Sequence, residues 1–193
     1  ENLDTKLSIF RRLDEITGPE VVLASNTSSL PLVQMATATK RPDRVVGMHF
    51  FNPPPVMKLL ELVRAITTSD ETVEFARAYG TDRLGKTTVL AKDRAGFIVN
   101  YLLTTYLNAA VRMYEEGFAT REDIDTAIKL GLGHPMGPLE LLDLIGLDTM
   151  LSVGDVLYNE FKAPEFNAPP LARRMVQAAH LGRKTGRGFY DYT

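Results

Sequence analysis

The chain has 193 residues, 45% of them hydrophobic, a net charge of −2 and no cysteine. That size supports a sizeable core in one or two domains, and the lack of cysteine excludes disulfides, thiolate chemistry and cysteine metal sites. A near-neutral balance without a basic block argues against a nucleic-acid partner, and no apolar run approaches the roughly 20 residues needed to span a bilayer.

The first predicted element is a helix in which Leu3, Leu7, Phe10, Leu13 and Ile16 recur at helical spacing, stopped by Gly18-Pro19. Val21 to Ala24 reads as a buried strand. Ser25-Asn26-Thr27-Ser28-Ser29 follows where the strand ends, and Pro31 suits the first turn of a short helix reaching about Ala38. A strand over Val45 to Phe50 and another over Lys58 to Ala65 flank the proline-packed bend Asn52-Pro53-Pro54-Pro55. Thr68-Ser69-Asp70-Glu71 has a capping pattern and starts a helix, and Lys86 to Ala91 makes one more strand before the turn Asp93-Arg94-Ala95-Gly96.

Beyond that turn everything is helical. Phe97 to Glu116 is one long run, apolar on nearly every side and ended by Gly117, so it is buried on more than one side, by a partner subunit or internally. Thr120 caps a helix to about Leu130. Helices over about Leu139–Ile145, Asp148–Phe161 and Pro170–Leu181 follow. The expected division is therefore an α/β domain over residues 1–92 and an all-helical domain over residues 93–193. The chain opens on a crossover helix with no strand before it, which suggests part of a larger protein.

The candidate chemistry lies in the first half. If the chain folds back symmetrically about Pro55, His49 and Glu61 arrive opposite each other on neighbouring strands. A carboxylate beside an imidazole fixes its tautomer and stabilises the protonated ring, as a histidine general base requires. A structural histidine at a strand end fits the same pattern. The Ser25–Ser29 cluster sits where ligands bind in open α/β sheets, although a helix cap with spare serines accounts for it equally. Asn100, one turn beyond Gly96, either faces a ligand or bonds the turn. His134 reads as part of an interhelical turn and His180 as a cation at a helix end, and no spacing suggests a metal site.

Five motifs occur in order: Ser25-Asn26-Thr27-Ser28-Ser29-Leu30, then His49-Phe50-Phe51-Asn52-Pro53 with Glu61, then Gly96-Phe97-Ile98-Val99-Asn100, then Pro135-Met136-Gly137-Pro138, and finally Lys184-Thr185-Gly186-Arg187-Gly188-Phe189-Tyr190. Together they resemble the 3-hydroxyacyl-CoA dehydrogenase family, including the bacterial 3-hydroxybutyryl-CoA dehydrogenases, over essentially the whole chain. The resemblance implies a Rossmann-like NAD-binding domain followed by a helical dimerisation domain. It also implies NAD-dependent oxidation of an acyl-CoA 3-hydroxyl to a ketone, in fatty-acid β-oxidation or 3-hydroxybutyryl-CoA metabolism. His49 matches the family base, Glu61 its orienting carboxylate, Ser28 a hydroxyl near substrate and nicotinamide, and Asn100 a substrate-positioning residue that would place the site between the domains. Asn52, Glu1, Lys6 and Lys184 match cofactor contacts. An acyl-CoA substrate, a homodimer through the helical domain, no metal, no nucleic acid, no membrane and a cytoplasmic location are the accompanying expectations.

The family opens with a strand and a glycine-rich turn that hold the NAD pyrophosphate, and no Gly-x-Gly-x-x-Gly occurs here. The expectation is therefore the later part of the NAD-binding domain, with the N-terminal NAD-binding segment lacking and the chain inactive by itself. Two other readings stay open: a non-catalytic helical dimerisation module carrying a sheet remnant, and another two-domain β-hydroxy acid dehydrogenase. Joint retention of His49, Glu61, Ser28 and Asn100 speaks against the first. The His-Phe-Phe-Asn-Pro segment speaks against the second, whose members typically use a lysine base.

Overall fold

The computed structural model describes residues 2–193, in a first unit ending at Ile98 and a second unit Val99–Thr193. Helix α1 (Leu3–Ile16) starts at Asn2, whose side chain accepts a 2.9 Å hydrogen bond from the Thr5 N–H. Leu3, Leu7, Phe10 and Leu13 face the core as their spacing requires, but Ile16, the last residue of the helix, is exposed. The strands are β1 (Leu23–Ser25), β2 (Val45–Phe50), β3 (Leu59–Arg64) and β4 (Thr87–Lys92). They form one sheet in the order β1-β2-β3-β4, with β1/β2 and β3/β4 parallel and β2/β3 antiparallel.

The central strands are covered on both faces, which is why β2 reads as an almost unbroken apolar run. On one face Val45 and Val63 pack with Phe10, Leu32, Met35 and Phe97, residues of α1, of α2 (Leu32–Thr37) and of the turn before Ile98. On the other face Val46, Met48, Leu60 and Leu62 pack with Ala76 of α3 (Asp70–Ala78). Gly47 is required in β2 because a Cβ there would lie 2.6 Å from the Cβ of its cross-strand partner Val63. The hairpin register is symmetric about Pro55, as the bend predicts: Gly47 faces Val63, His49 faces Glu61 and Phe50 faces Leu60.

Pro31 precedes helix α2 rather than entering it, and no side chain of its own segment caps that helix. Asp93, from the far end of the unit, does so instead: its two carboxylate oxygens accept from the Leu32 N–H at 2.9 Å and the Val33 N–H at 2.7 Å. The turn containing Asp93 thus belongs to the first unit, and so does Phe97. The long helix predicted from Phe97 begins only at Val99. Gly96 and Phe97 both take left-handed backbone (φ 75° and 45°), which ends the turn and sends the Phe97 ring into the core.

The second unit holds α4 (Val99–Glu115), α5 (Arg121–Leu132), α6 (Pro138–Ile145), α7 (Leu147–Phe161) and α8 (Pro170–Gln177). Its core gathers Leu107, Val111, Ile124, Leu139, Leu142, Leu147, Met150, Met175 and Phe189. Helix α4 buries one face only within the chain. Thr104, Leu107, Ala110 and Val111 are inside, whereas Leu102 and Met113 are 63% and 40% exposed. His180 lies beyond α8, which stops before the left-handed Ala179, and His134 is exposed with its ring edge toward Tyr106. Among the described residues, no helix is long and apolar enough to cross a membrane.

Two buried aspartates organise this unit. Asp125 accepts from the Leu139 and Glu140 N–H groups at 2.8 and 2.9 Å, capping α6 from α5, and from the Tyr190 hydroxyl at 2.8 Å. Asp143 accepts from the Phe189 and Tyr190 N–H groups, both at 2.9 Å, and from the Tyr192 hydroxyl at 3.1 Å. Burial pushes the Asp143 carboxyl above its ordinary range, against the pull of those three donors. The glycines of the two C-terminal motifs make room for these carboxylates: a Cβ at Gly137 would meet Asp125 at 2.3 Å, and one at Gly188 would meet Asp143 at 2.0 Å. Gly188→Ala is expected to cost about 1–3 kcal/mol through overpacking. Gly131→Ala, whose Cβ meets nothing within 4 Å on α5, should be neutral or stabilising by up to about 1 kcal/mol. Thermal unfolding of the two variants checks the contrast.

Candidate active site

Strands β1 and β2 run parallel, so Ser25 and Phe50 end on the same edge of the sheet, and the serine-rich loop leaves from that edge. The loop is tied down by its own side chains. The Asn26 carbonyl accepts from the Phe50 N–H at 2.9 Å, and Thr27 Oγ1 accepts from the Leu30 N–H at 2.9 Å. These two residues satisfy backbone. Ser28 is left facing chemistry: its Oγ lies 3.1 Å from His49 Nε2. Ser25 Oγ is buried and, among the described residues, makes no hydrogen bond.

His49 and Glu61 lie opposite each other on the hairpin and are 4% and 0% exposed. His49 Nδ1 is 2.7 Å from Glu61 Oε2. A carboxylate only accepts, so Nδ1 carries the proton and Nε2 presents its lone pair toward Ser28. The second carboxylate oxygen, Oε1, accepts from the Ile98 N–H at 3.1 Å. Rings of Phe51 and Phe97 stand 4.7 and 5.5 Å from the imidazole and limit its rotation. The arrangement is a hydroxyl, an imidazole and a carboxylate in one hydrogen-bonded line. Such a line can accept a proton at Nε2 and hold the resulting charge against a buried counter-ion.

The other sequence candidates are distributed differently. Asn52 is exposed on the connection after β2, and Lys6 is half-buried on α1. Asn100 is the second residue of α4 in the helical unit and is half-buried. Lys184 pairs with the Asp148 carboxylate in that same unit. Glu1 lies outside the described residues. Two contributors escaped sequence reasoning: the Ile98 main-chain amide, which has no side-chain signal, and Asp93, which looks like any turn aspartate until α2 is placed beside it.

Residues 1–94 match the family model for the 3-hydroxyacyl-CoA dehydrogenase NAD binding domain, and residues 96–192 match the model for its C-terminal domain. The chain belongs to the 3-hydroxyacyl-CoA dehydrogenase family. It is 52% identical to the 3-hydroxybutyryl-CoA dehydrogenase of Mycobacterium tuberculosis, covering 100% of this chain and 68% of that protein. It is 48% identical to the probable 3-hydroxybutyryl-CoA dehydrogenase of Bacillus subtilis, again over 100% of this chain and 67% of the relative. The crystal structure of (S)-3-hydroxybutyryl-CoA dehydrogenase PaaH1 from Ralstonia eutropha superposes with a TM-score of 0.96 at 49% identity, covering 100% of this chain and 68% of that one.

The match over residues 1–94 corrects the expectation that the NAD-binding segment is lacking. The expectation leaned on one glycine pattern, whereas the family's NAD-binding model matches almost the whole first unit. Membership also sets aside the assembly-module and β-hydroxy acid readings.

The buried carboxylate has a measurable structural role. Glu61→Ala removes the acceptor of both the His49 Nδ1–H and the Ile98 N–H and is expected to destabilise the fold by about 1–3 kcal/mol per stranded donor. Ser28→Ala removes a single neutral hydroxyl contact to Nε2 and should cost only about 1 kcal/mol. Urea unfolding midpoints of the two variants test that order.

Proposed function

We propose that this protein catalyses the NAD-dependent oxidation of a 3-hydroxyacyl-CoA to the 3-oxoacyl-CoA, with His49 as the general base. The observation that carries the reading is the Ser28–His49–Glu61 line at the carboxyl edge of the sheet, in a chain belonging to this family. Its relatives are named for 3-hydroxybutyryl-CoA and, at similar identity, for hydroxyacyl-CoA in general.

The donor set fits the nicotinamide end of NAD. The unpartnered Ser25 hydroxyl, Ser28 and exposed Asn52 offer short polar groups at or beyond the carboxyl ends of β1 and β2, where ligands of open α/β sheets bind. Lys6, Lys184 and Glu1 are assigned to the cofactor's ribose and phosphates on the family pattern. When bound, NAD supplies the hydride acceptor.

The protein's own part is the proton. His49 Nε2 takes the proton of the substrate 3-hydroxyl while the hydride leaves its carbon, and Glu61 holds the imidazolium without itself being protonated. Ser28 shares the hydroxyl oxygen with Nε2 and fixes its approach. In the reverse direction the imidazolium returns the proton and stabilises charge on the carbonyl oxygen. Asn100 is assigned to position the substrate on the family pattern. Histidine suits both directions because its ordinary titration range lies near physiological pH.

His49→Gln is expected to lower turnover roughly 10²–10⁴-fold with a much smaller change in substrate affinity. Glu61→Gln should also slow turnover and, in the reductive direction that uses the imidazolium, move the alkaline limb of the pH–rate profile downward, because the imidazolium loses its counter-charge. An acetoacetyl-CoA and NADH assay across pH measures both. Near-normal turnover in His49→Gln would sink the assignment.

The assembly belongs to the same proposal. Leu102 and Met113 on α4 are exposed apolar side chains, as are Phe118, Leu130 and Leu132, which are 78%, 82% and 63% exposed. So many large apolar residues on one helical unit favour a homodimer made through it. Light scattering at micromolar concentration should give twice the chain mass, and a monomer would reject the dimer.

A further inference from the structure

The interactions around His49 close into a ring. His49 Nε2 meets Ser28; the Ser28 loop runs into α2, whose first two amides donate to Asp93; and five residues after Asp93 the Ile98 amide donates to Glu61, which holds His49 Nδ1. Asp93 is itself anchored, its N–H donating to the Arg64 carbonyl at the end of β3 at 2.9 Å. Every link but one is either a strand pairing, a short covalent run or a contact to the imidazole or its carboxylate. The exception is Asp93, a half-buried carboxylate whose two oxygens join the loop bearing the hydroxyl to the turn that clamps the carboxylate.

We infer that Asp93 is a positioning residue for the proton-transfer line, fixing Ser28 and Glu61 simultaneously against His49. The inference rests on the reading of His49 as the base. Its physical basis is the short reach of both ends. Ser28 lies four residues before the first amide that Asp93 holds, and Ile98 presents its amide to Glu61 only because Gly96 and Phe97 adopt left-handed backbone. Releasing α2 from Asp93 lets the serine loop and the turn relax independently. A helix cap alone has no such consequence. Ser69, which caps α3 by accepting from the Thr72 N–H at 3.2 Å, does the same local job on the opposite face of the sheet with no link to His49.

That contrast supplies the experiment. Asp93→Asn turns an amide NH2 toward an N–H that needs an acceptor, and should lower kcat for acetoacetyl-CoA reduction roughly 10–100-fold with KM little changed, the size expected for misplacement of reacting groups by about 1 Å. Ser69→Ala should lower the thermal midpoint comparably and leave kcat intact. Asp93→Ser, which keeps one acceptor, should fall between wild type and Asp93→Asn, and serves if the asparagine variant does not fold. In a Ser28→Ala background the Asp93→Asn loss should shrink, since part of its effect has already been removed.

A second readout needs no turnover. With three histidines in the chain, the downfield proton resonance of the His49 Nδ1–H is assigned by its loss in His49→Gln. It should persist in Ser69→Ala and broaden or move upfield in Asp93→Asn. Unchanged kcat and an unchanged resonance in Asp93→Asn would overturn the positioning role, as would fully additive losses with Ser28→Ala. Undiminished turnover in His49→Gln would instead overturn the function on which the inference rests.

Discussion

A buried carboxylate touching a buried imidazole is the constraint around which the first unit is arranged. Neither group tolerates a low-dielectric interior unless every donor and acceptor is answered, because an uncompensated charge there costs several kcal/mol, on the order of 3–5 when a partner is removed. Glu61 is fully enclosed and His49 nearly so, so their partners must come from the protein. The hairpin brings the two side chains opposite each other, the Ile98 amide answers the second carboxylate oxygen, and Ser28 meets the outer ring nitrogen. The atoms that satisfy the buried pair are thus the same ones that hold the imidazole in place.

The requirement propagates outward. A main-chain amide reaches Glu61 only if the chain leaves β4 through a turn with consecutive left-handed residues. Glycine accepts that geometry at position 96, and Phe97 accepts it because its ring is held in the core. The same turn carries Asp93 to the start of α2. What looks in sequence like a plain connection between a sheet and a helix is tied through Asp93 to the helix that follows the serine loop.

The helical unit solves a different problem with the same device. Asp125 and Asp143 are buried acceptors that collect amides from α6 and from the closing segment, and each needs a glycine without a side chain against it. The Pro-Met-Gly-Pro and Lys-Thr-Gly-Arg-Gly-Phe-Tyr segments thus supply the glycines against which these carboxylates pack. Lys184, at the start of the closing segment, pairs with the Asp148 carboxylate.

Local regularities determined what could be read from the chain alone. Hydrophobic spacing marked α1 and the central strands, Ser69 and Thr120 marked helix starts, and the symmetry of the proline bend placed His49 against Glu61, because antiparallel register in a tight hairpin follows from sequence distance. Ser28 was legible only as one hydroxyl among several. The choice among Ser25, Asn26, Thr27 and Ser28 was made by three-dimensional neighbours: the Phe50 amide takes Asn26, the Leu30 amide takes Thr27, and the imidazole takes Ser28. Asp93 and the Ile98 amide were invisible, and Phe97 was misplaced onto α4, for one reason. Their roles depend on contacts across 37 to 61 residues of chain, where no period or cap links the partners. Sequence determined which groups were present and which neighbours lay within a turn or a hairpin; the packed sheet alone decided which acceptor each donor finds, because buried polar groups must be paired wherever the fold happens to bring them.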